Sequence, residues 1–240
     1  MTQVAELEAS LDGLRVVRQA DWATRFPGLV QGLTGRAAGL DFSLPDGWAR
    51  LLKAAGVSQV ARCRQVHGSD VILFDAPTGG AVQLAGDADA LVCGRRDVLL
   101  AVTVADCVPV FIVDASRGTL GLVHAGWRGI AAGVVEAALE RMRGLGSRLS
   151  SLHLHLGPAI CGKCYEVGPE VASALGVTAG DTCFVDLRGQ IARRAAAAGV
   201  DSARLTVSTW CTRCERERFF SYRGGDEGQR MCAFLGWQAS

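Results

Sequence analysis

Lysine and histidine are scarce in this 240-residue chain. Two lysines, Lys53 and Lys163, stand against 23 arginines, and imidazole chemistry is confined to His67, His124, His153 and His155. Positive charge in bulk is missing as well. The net charge is +1 and no run of five or more Lys and Arg occurs, so no broad field exists to hold a nucleic-acid backbone. The longest apolar stretch, 98–113, is interrupted by Asp106 and Pro109 and falls short of the roughly 20 residues that span a bilayer. Residues 1–13 carry Glu6, Glu8 and Asp12 and lack the basic and apolar regions of a signal peptide. Neither nucleic acid nor a membrane is an expected partner, and the cytoplasm is the expected compartment. Nine cysteines, an odd number in a chain large enough to build its own core, fit a reducing compartment.

Several generic motifs are missing too. There is no GxxxxGK[ST], no GxGxxG after a strand, no GxSxG and no HExxH, which removes the common NTPase, dinucleotide, serine-hydrolase and metalloprotease readings. The HxE and PCxxC pieces of the nucleobase deaminases are also missing.

What is present is a globular composition, 49% hydrophobic and 20% charged, with strands and helices in mixed order. Charged and apolar residues over 6–22 follow a roughly helical spacing, and 29–33 is a short apolar run. Trp48, Leu51, Leu52 and Ala55 share one face of a helix over 46–56. Strands are expected at 57–66 and 69–74, with His67-Gly68 at the bend between them, followed by a Gly-rich loop over 77–86. Residues 90–93, 98–104 and 110–114 read as strands buried on both faces, and 119–124 as another. A single helix is expected over 130–142, leaving His124 at a strand-to-helix junction where N–H groups favour anions. A strand at 152–156 and helices at 169–175 and 187–198 complete a single α/β or α+β domain.

The candidate sites are few. Cys161/Cys164 and Cys211/Cys214 form two Cys-x-x-Cys pairs, but their separation exceeds that of a zinc ribbon and neither is expected in a turn-rich knuckle; reduced or redox-labile thiols are the preferred reading. His153 and His155 share a strand face, and a solvated or hydrogen-bonded pair is preferred to a metal site. Asp106 and Cys107 interrupt the most apolar part of the chain, where a buried carboxylate needs a partner. With His67 and His124 at element ends, Cys107 is either a Cys-His nucleophile or part of a His-Cys-His zinc site. The residues alone leave both open.

Six ordered motifs extend this reading: Arg64 to Asp70 (RQVHGSD), Asp87 to Leu91 (DADAL), Thr103 to Pro109 (TVADCVP), His124 to Gly129 (HAGWRG), Gly157 to Ile160 with Tyr165 to Val167, and Phe219 to Arg223 (FFSYR). Together they resemble the YfiH or laccase-domain family. Leu33 to Arg36 echoes the family's N-terminal segment, while residues 1–25 lie outside the resemblance as an extension of a catalytic domain over 26–240. The family usually has a second arginine where Arg223 is followed by Gly224-Gly225.

The resemblance implies a single layered α/β (mixed α+β) domain, with mixed β-sheets flanked by helices. It implies a purine nucleoside phosphorylase that takes adenosine, inosine, guanosine and methylthioadenosine to base and ribose-1-phosphate, with adenosine deamination as a further activity. It further implies zinc on His67, Cys107 and His124; a monomer is the expected state. Copper is disfavoured, because one thiolate and two imidazoles do not supply the several centres of a multicopper oxidase. Arg128 is the first choice for phosphate, followed by Arg36, Arg64 and Arg223, with Gln65 and Tyr222 in the substrate-binding set. Trp127, Phe220 and Tyr222 offer ring faces to a purine. Asp106 and Glu166 are the candidate proton-moving acids, beside Cys107 and Arg128 in the catalytic set. Alternatives are a peptidoglycan-editing hydrolase acting on UDP-linked muramyl precursors and a metal-free hydrolase with Cys107 as nucleophile.

Overall fold

Runs of Val, Leu and Ile without polar alternation require strands covered on both faces. The computed structural model describes residues 2–4, 6–76, 79–178 and 183–239. Its strands are β1 (Thr2–Val4), β2 (Leu7–Leu11), β3 (Leu14–Arg18), β4 (Leu29–Thr34), β5 (Gln59–Arg64), β6 (Val71–Leu73), β7 (Val82–Asp87) and β8 (Ala90–Cys93). They continue with β9 (Val98–Val104), β10 (Val108–Asp114), β11 (Thr119–Ala125), β12 (His153–Leu156), β13 (Glu166–Val167), β14 (Cys183–Phe184), β15 (Leu205–Ser208) and β16 (Met231–Trp237). The helices are α1 (Ala20–Arg25), α2 (Pro45–Ala55), α3 (Trp127–Ala132), α4 (Val134–Gly144), α5 (Pro169–Ala174) and α6 (Leu187–Ala197).

Two seven-stranded mixed sheets result, in the orders β1-β15-β12-β10-β11-β8-β6 and β2-β3-β4-β16-β9-β5-β7, with β13 and β14 as a separate ribbon. The sheets face one another. Leu100, Val102 and Leu235 of one meet Leu91, Leu122 and Val113 of the other in a shared core. On the outer face of the first sheet, Ile112, Val123 and Leu154 are covered by Leu139 and Met142 of α4 and Ile191 of α6. On the outer face of the second, Val60, Leu99 and Phe234 are covered by Trp48, Leu51 and Leu52 of α2. Each central strand is thus sandwiched, which is why β10, β11 and β16 are buried along their whole lengths. Among the described residues no helix is long and apolar enough to cross a membrane.

Four local expectations are corrected. Residues 6–22 are mostly a hairpin rather than a helix: β2 and β3 join through Asp12-Gly13, both at positive φ, the backbone that a two-residue hairpin turn requires. The loop expected over 77–86 begins outside the described residues and ends inside β7, which pairs in parallel with β5. The helix expected over 130–142 breaks at Gly133, whose φ of +85° ends α3 and starts α4. The two Cys-x-x-Cys pairs do lie in turns, and they meet. β12 and β15 run side by side in parallel and deliver both pairs to the same end of the sheet.

Residues 2–4 and 6–25 are built into this framework. β1 extends one sheet beside β15 and the β2–β3 hairpin extends the other. Between them Glu6, 3% exposed, accepts from the Ser208 hydroxyl at 2.8 Å and pairs with His155 Nε2 at 3.0 Å.

Candidate active site

β9 ends in one sheet and β10 begins in the other, so residues 105–107 carry the chain between them. Asp106 makes this crossing at φ +82°, a conformation that costs a non-glycine residue on the order of 1 kcal/mol or more. Its side chain helps to hold the turn: one oxygen accepts from the Thr212 hydroxyl at 2.6 Å, the other from the Arg223 backbone N–H at 2.7 Å. Cys107 follows, and His124 enters from the end of neighbouring β11. His67 arrives from the loop after β5, at φ +59°. One ligand atom each from His67, Cys107 and His124 lies within 4.8 Å of the others.

A buried carboxylate organises both histidines. Asp89 accepts from Nδ1–H of His124 at 2.8 Å, a bond that orients the ring and leaves Nε2 as the nitrogen available to the trio. Its other oxygen accepts the backbone N–H groups on either side of His67, from Val66 at 3.1 Å and Gly68 at 2.7 Å. Burial opposes ionisation of Asp89, but the His124 ring and these N–H groups outweigh it and hold the carboxyl below the usual range. Close approach of the ligands also depends on Gly126, where a Cβ would come within 3.0 Å of Cys107 Sγ and 3.1 Å of His67 Cδ2.

The charges in this trio are strongly linked. Burial pushes the Cys107 thiol up, yet His124 and His67 more than reverse this and bring it to about 6. Burial likewise disfavours a charged His124, but the Cys107 thiolate and Asp89 raise it to about 9. A thiolate, an imidazole held at Nδ1 so that Nε2 serves as its ligand atom once that nitrogen's proton is displaced, and a second imidazole beside it form a donor set that fits a zinc-type cation.

The trio opens into a cavity of about 600 Å³. Arg128, Arg223 and Arg230 line it, as do the aromatic rings of Trp127, Tyr165 and Tyr222. The Arg128 guanidinium lies 4.2 Å from the Trp127 ring centre and that of Arg223 5.1 Å from Tyr165. Asp106 also lines the cavity, with the two bonds described above. Gln65 lines it while bonded to β9: its amide donates to the Thr103 carbonyl and its oxygen accepts from the Thr103 N–H, both at 2.8 Å.

Other candidates lie outside the lining. Glu166 is exposed, and its backbone carbonyl accepts from the Arg223 guanidinium at 2.6 Å. Arg64 is an exposed partner of Asp87. Arg36 donates to Asp226 at 2.5 Å and to the Phe219 carbonyl at 3.0 Å, tying down the loop that carries Tyr222 and Arg223, and its guanidinium stacks on Phe220. His153 and His155 are buried and bonded, His153 to Arg204 at 2.6 Å and His155 to Glu6 and Thr206. Three residues escaped the sequence reading, among them Tyr165, which stood inside a quoted motif without a role and lines the cavity. Asp89 stood inside a quoted motif, where an acid bounded by Ala88 and Ala90 at the start of a buried strand was the available signal. Arg230, just before β16, carried no signal at all.

The family model described as multi-copper polyphenol oxidoreductase laccase matches residues 46–238. The chain belongs to this laccase-domain family. Its laccase-domain relatives include a purine nucleoside phosphorylase, ORF3, of Streptomyces griseus, 39% identical over 186 residues that cover 74% of each chain. An adenosine deaminase, RL5, from an unknown prokaryotic organism is 35% identical over 147 residues, 56% of each chain. The laccase-domain fold is shared with YlmD from Geobacillus stearothermophilus, at a TM-score of 0.83 and 29% identity, over 93% of this chain and 96% of that one.

Proposed function

We propose that this chain is a monomeric, zinc-dependent purine nucleoside phosphorylase that also deaminates adenosine. The observation that carries the reading is the His67–Cys107–His124 trio, oriented by Asp89, opening into a cavity lined by arginines and aromatic rings. The names of the relatives supply the reaction class. The range extends to adenosine, inosine, guanosine and methylthioadenosine, as the family resemblance implies.

In phosphorolysis a phosphate oxygen bonds to the anomeric carbon as the glycosidic C–N bond breaks, and the departing purine takes up a proton from water. Arg128 and Arg223 hold the phosphate, with Arg230 joining them, because guanidinium groups match its geometry. Trp127 and Tyr222 face the purine. Tyr165 lines the cavity and donates a hydrogen bond to the leaving base from its phenol, a group already protonated at neutral pH and pushed up to about 12 by burial and the nearby Cys107 thiolate. Asp106 positions Arg223 through the backbone, and the Glu166 carbonyl steadies its guanidinium.

His67, Cys107 and His124 hold the zinc, which when bound supplies Lewis-acid polarisation and the activation of water that deamination needs. By holding Nδ1–H of His124, Asp89 turns Nε2 toward the site as the nitrogen that would serve as ligand.

Purified protein incubated with adenosine, with and without phosphate, tests the assignment. Adenine released only with phosphate is the expected main product, with ammonia and inosine forming without it. No turnover of adenosine in either condition, together with hydrolysis of a UDP-linked muramyl peptide precursor, would overturn it.

A further inference from the structure

The two Cys-x-x-Cys pairs lie outside the cavity lining, and the reading above leaves them without a role. Their sulfurs are gathered all the same: Cys161, Cys164, Cys211 and Cys214 each place Sγ within 4.8 Å of the other three. The first pair folds into a tight turn in which the Cys164 and Tyr165 N–H groups donate to the Cys161 carbonyl at 2.9 and 3.0 Å. The second is a matching turn, with Glu215 N–H donating to the Cys211 carbonyl at 2.9 Å. A β-bridge between Ala159 and Cys211 aligns the two turns in parallel. The Cys161 N–H donates to Cys211 Sγ at 3.2 Å.

We infer that these four cysteines form a separate structural zinc site, one ion bound by four thiolates. Zinc takes Zn–S bonds of about 2.3 Å in a tetrahedron, whose sulfurs are then about 3.8 Å apart. Cys164 and Cys214 are 3.5 Å apart, close to that edge and far beyond the roughly 2.05 Å of a disulfide. Sulfurs gathered this closely surround a single ion, whereas a cluster of several irons spreads its thiolates further apart. Each turn also carries a basic residue, Lys163 and Arg213, against the net negative charge of a zinc with four thiolates. The Arg213 guanidinium donates to the Cys164 carbonyl at 2.9 Å, joining one turn to the other.

The ion braces a wall of the cavity. Ile160 and Tyr165, which flank the first turn, both line it. Thr212 in the second turn bonds Asp106, which in turn holds Arg223. These four cysteines are therefore positioning residues, joining two segments 50 residues apart where they meet the cavity.

Metal analysis of protein prepared with zinc and reductant tests the inference without reference to activity. The wild type is expected to hold two zinc ions per chain, Cys107→Ala one, and Cys164→Ser/Cys214→Ser one. Should the double variant fail to fold, cobalt-loaded Cys107→Ala protein gives the same answer. There the intense charge-transfer and ligand-field absorption of a tetrahedral cobalt tetrathiolate is expected. A wild type with one zinc that vanishes entirely in Cys107→Ala, no such cobalt spectrum, or four cysteines recovered as two disulfides would overturn it. Because Cys107 is read separately, failure here leaves the cavity assignment standing.

Discussion

Asp89 is the residue on which both histidines depend, through the His124 ring and through the N–H groups around His67. Asp89→Asn keeps the volume but weakens the hold on the His124 tautomer, so zinc affinity at this trio should fall about 10- to 100-fold. Competition with a chromophoric chelator measures this; an affinity equal to wild type would contradict it. Cys107 gives a second prediction. With its thiol lowered to about 6, the metal-free protein should be alkylated at Cys107 with a midpoint near that pH, the rate rising as pH increases through it and the thiolate forms. A midpoint near 9, the ordinary thiol value, would show that the imidazoles do not act on it. At this scale the sequence was informative about residue type and less so about partners. Cys107 stood out at a break in an apolar run and His67 and His124 at element ends, and the family resemblance united them. Asp106 was expected to need a partner, but Thr212 and the Arg223 N–H, more than 100 residues away, were not visible. Arg128 was ranked ahead of Arg64 by its place after His124, and the fold turns Arg128 toward the cavity and Arg64 toward Asp87.

Elements set the spacing that these residues need. In the turn between β11 and α3, Gly126 has an ordinary φ of −80°, so alanine there tests space alone. The added methyl meets Cys107 and His67, and zinc affinity and adenosine turnover should each fall on the order of 10- to 100-fold with the fold retained. Unchanged turnover would show that the ligands yield easily. A different part of the fold is tested by Glu6→Ala. It leaves His155 Nε2 and the Ser208 hydroxyl buried without this partner and should cost about 3 kcal/mol in denaturant unfolding, with KM for adenosine unchanged. A loss under 1 kcal/mol would mean that the N-terminal strands contribute little to the two sheets. The central strands were legible because sandwiching makes them apolar throughout, as in β10 and β11. The hairpin over residues 7–18 was not, because its edge strand β2 is largely exposed and the charges across the hairpin fall at spacings that also suit a helix, and Asp12-Gly13 was the feature that decides between them.

For the molecule as a whole, two stacked sheets were beyond what pattern could supply. Which strand neighbours which is a long-range property, and β16, the last strand, pairs between β4 and β9. The same limit governed the cysteine pairs: a gap of 50 residues argues against a zinc ribbon only if the chain between does not return, and the parallel β12–β15 pairing brings it back. That topology also builds the cavity from segments scattered between Gln65 and Arg230. The central claim is that the trio is a metal centre on which purine chemistry depends. The most direct measurement follows adenine release from adenosine and phosphate as zinc is added stepwise to metal-free wild-type protein. Turnover should be absent at the start, rise with zinc and level off once the sites are filled, while Cys107→Ala stays inactive throughout. Full turnover by the metal-free protein would contradict the account.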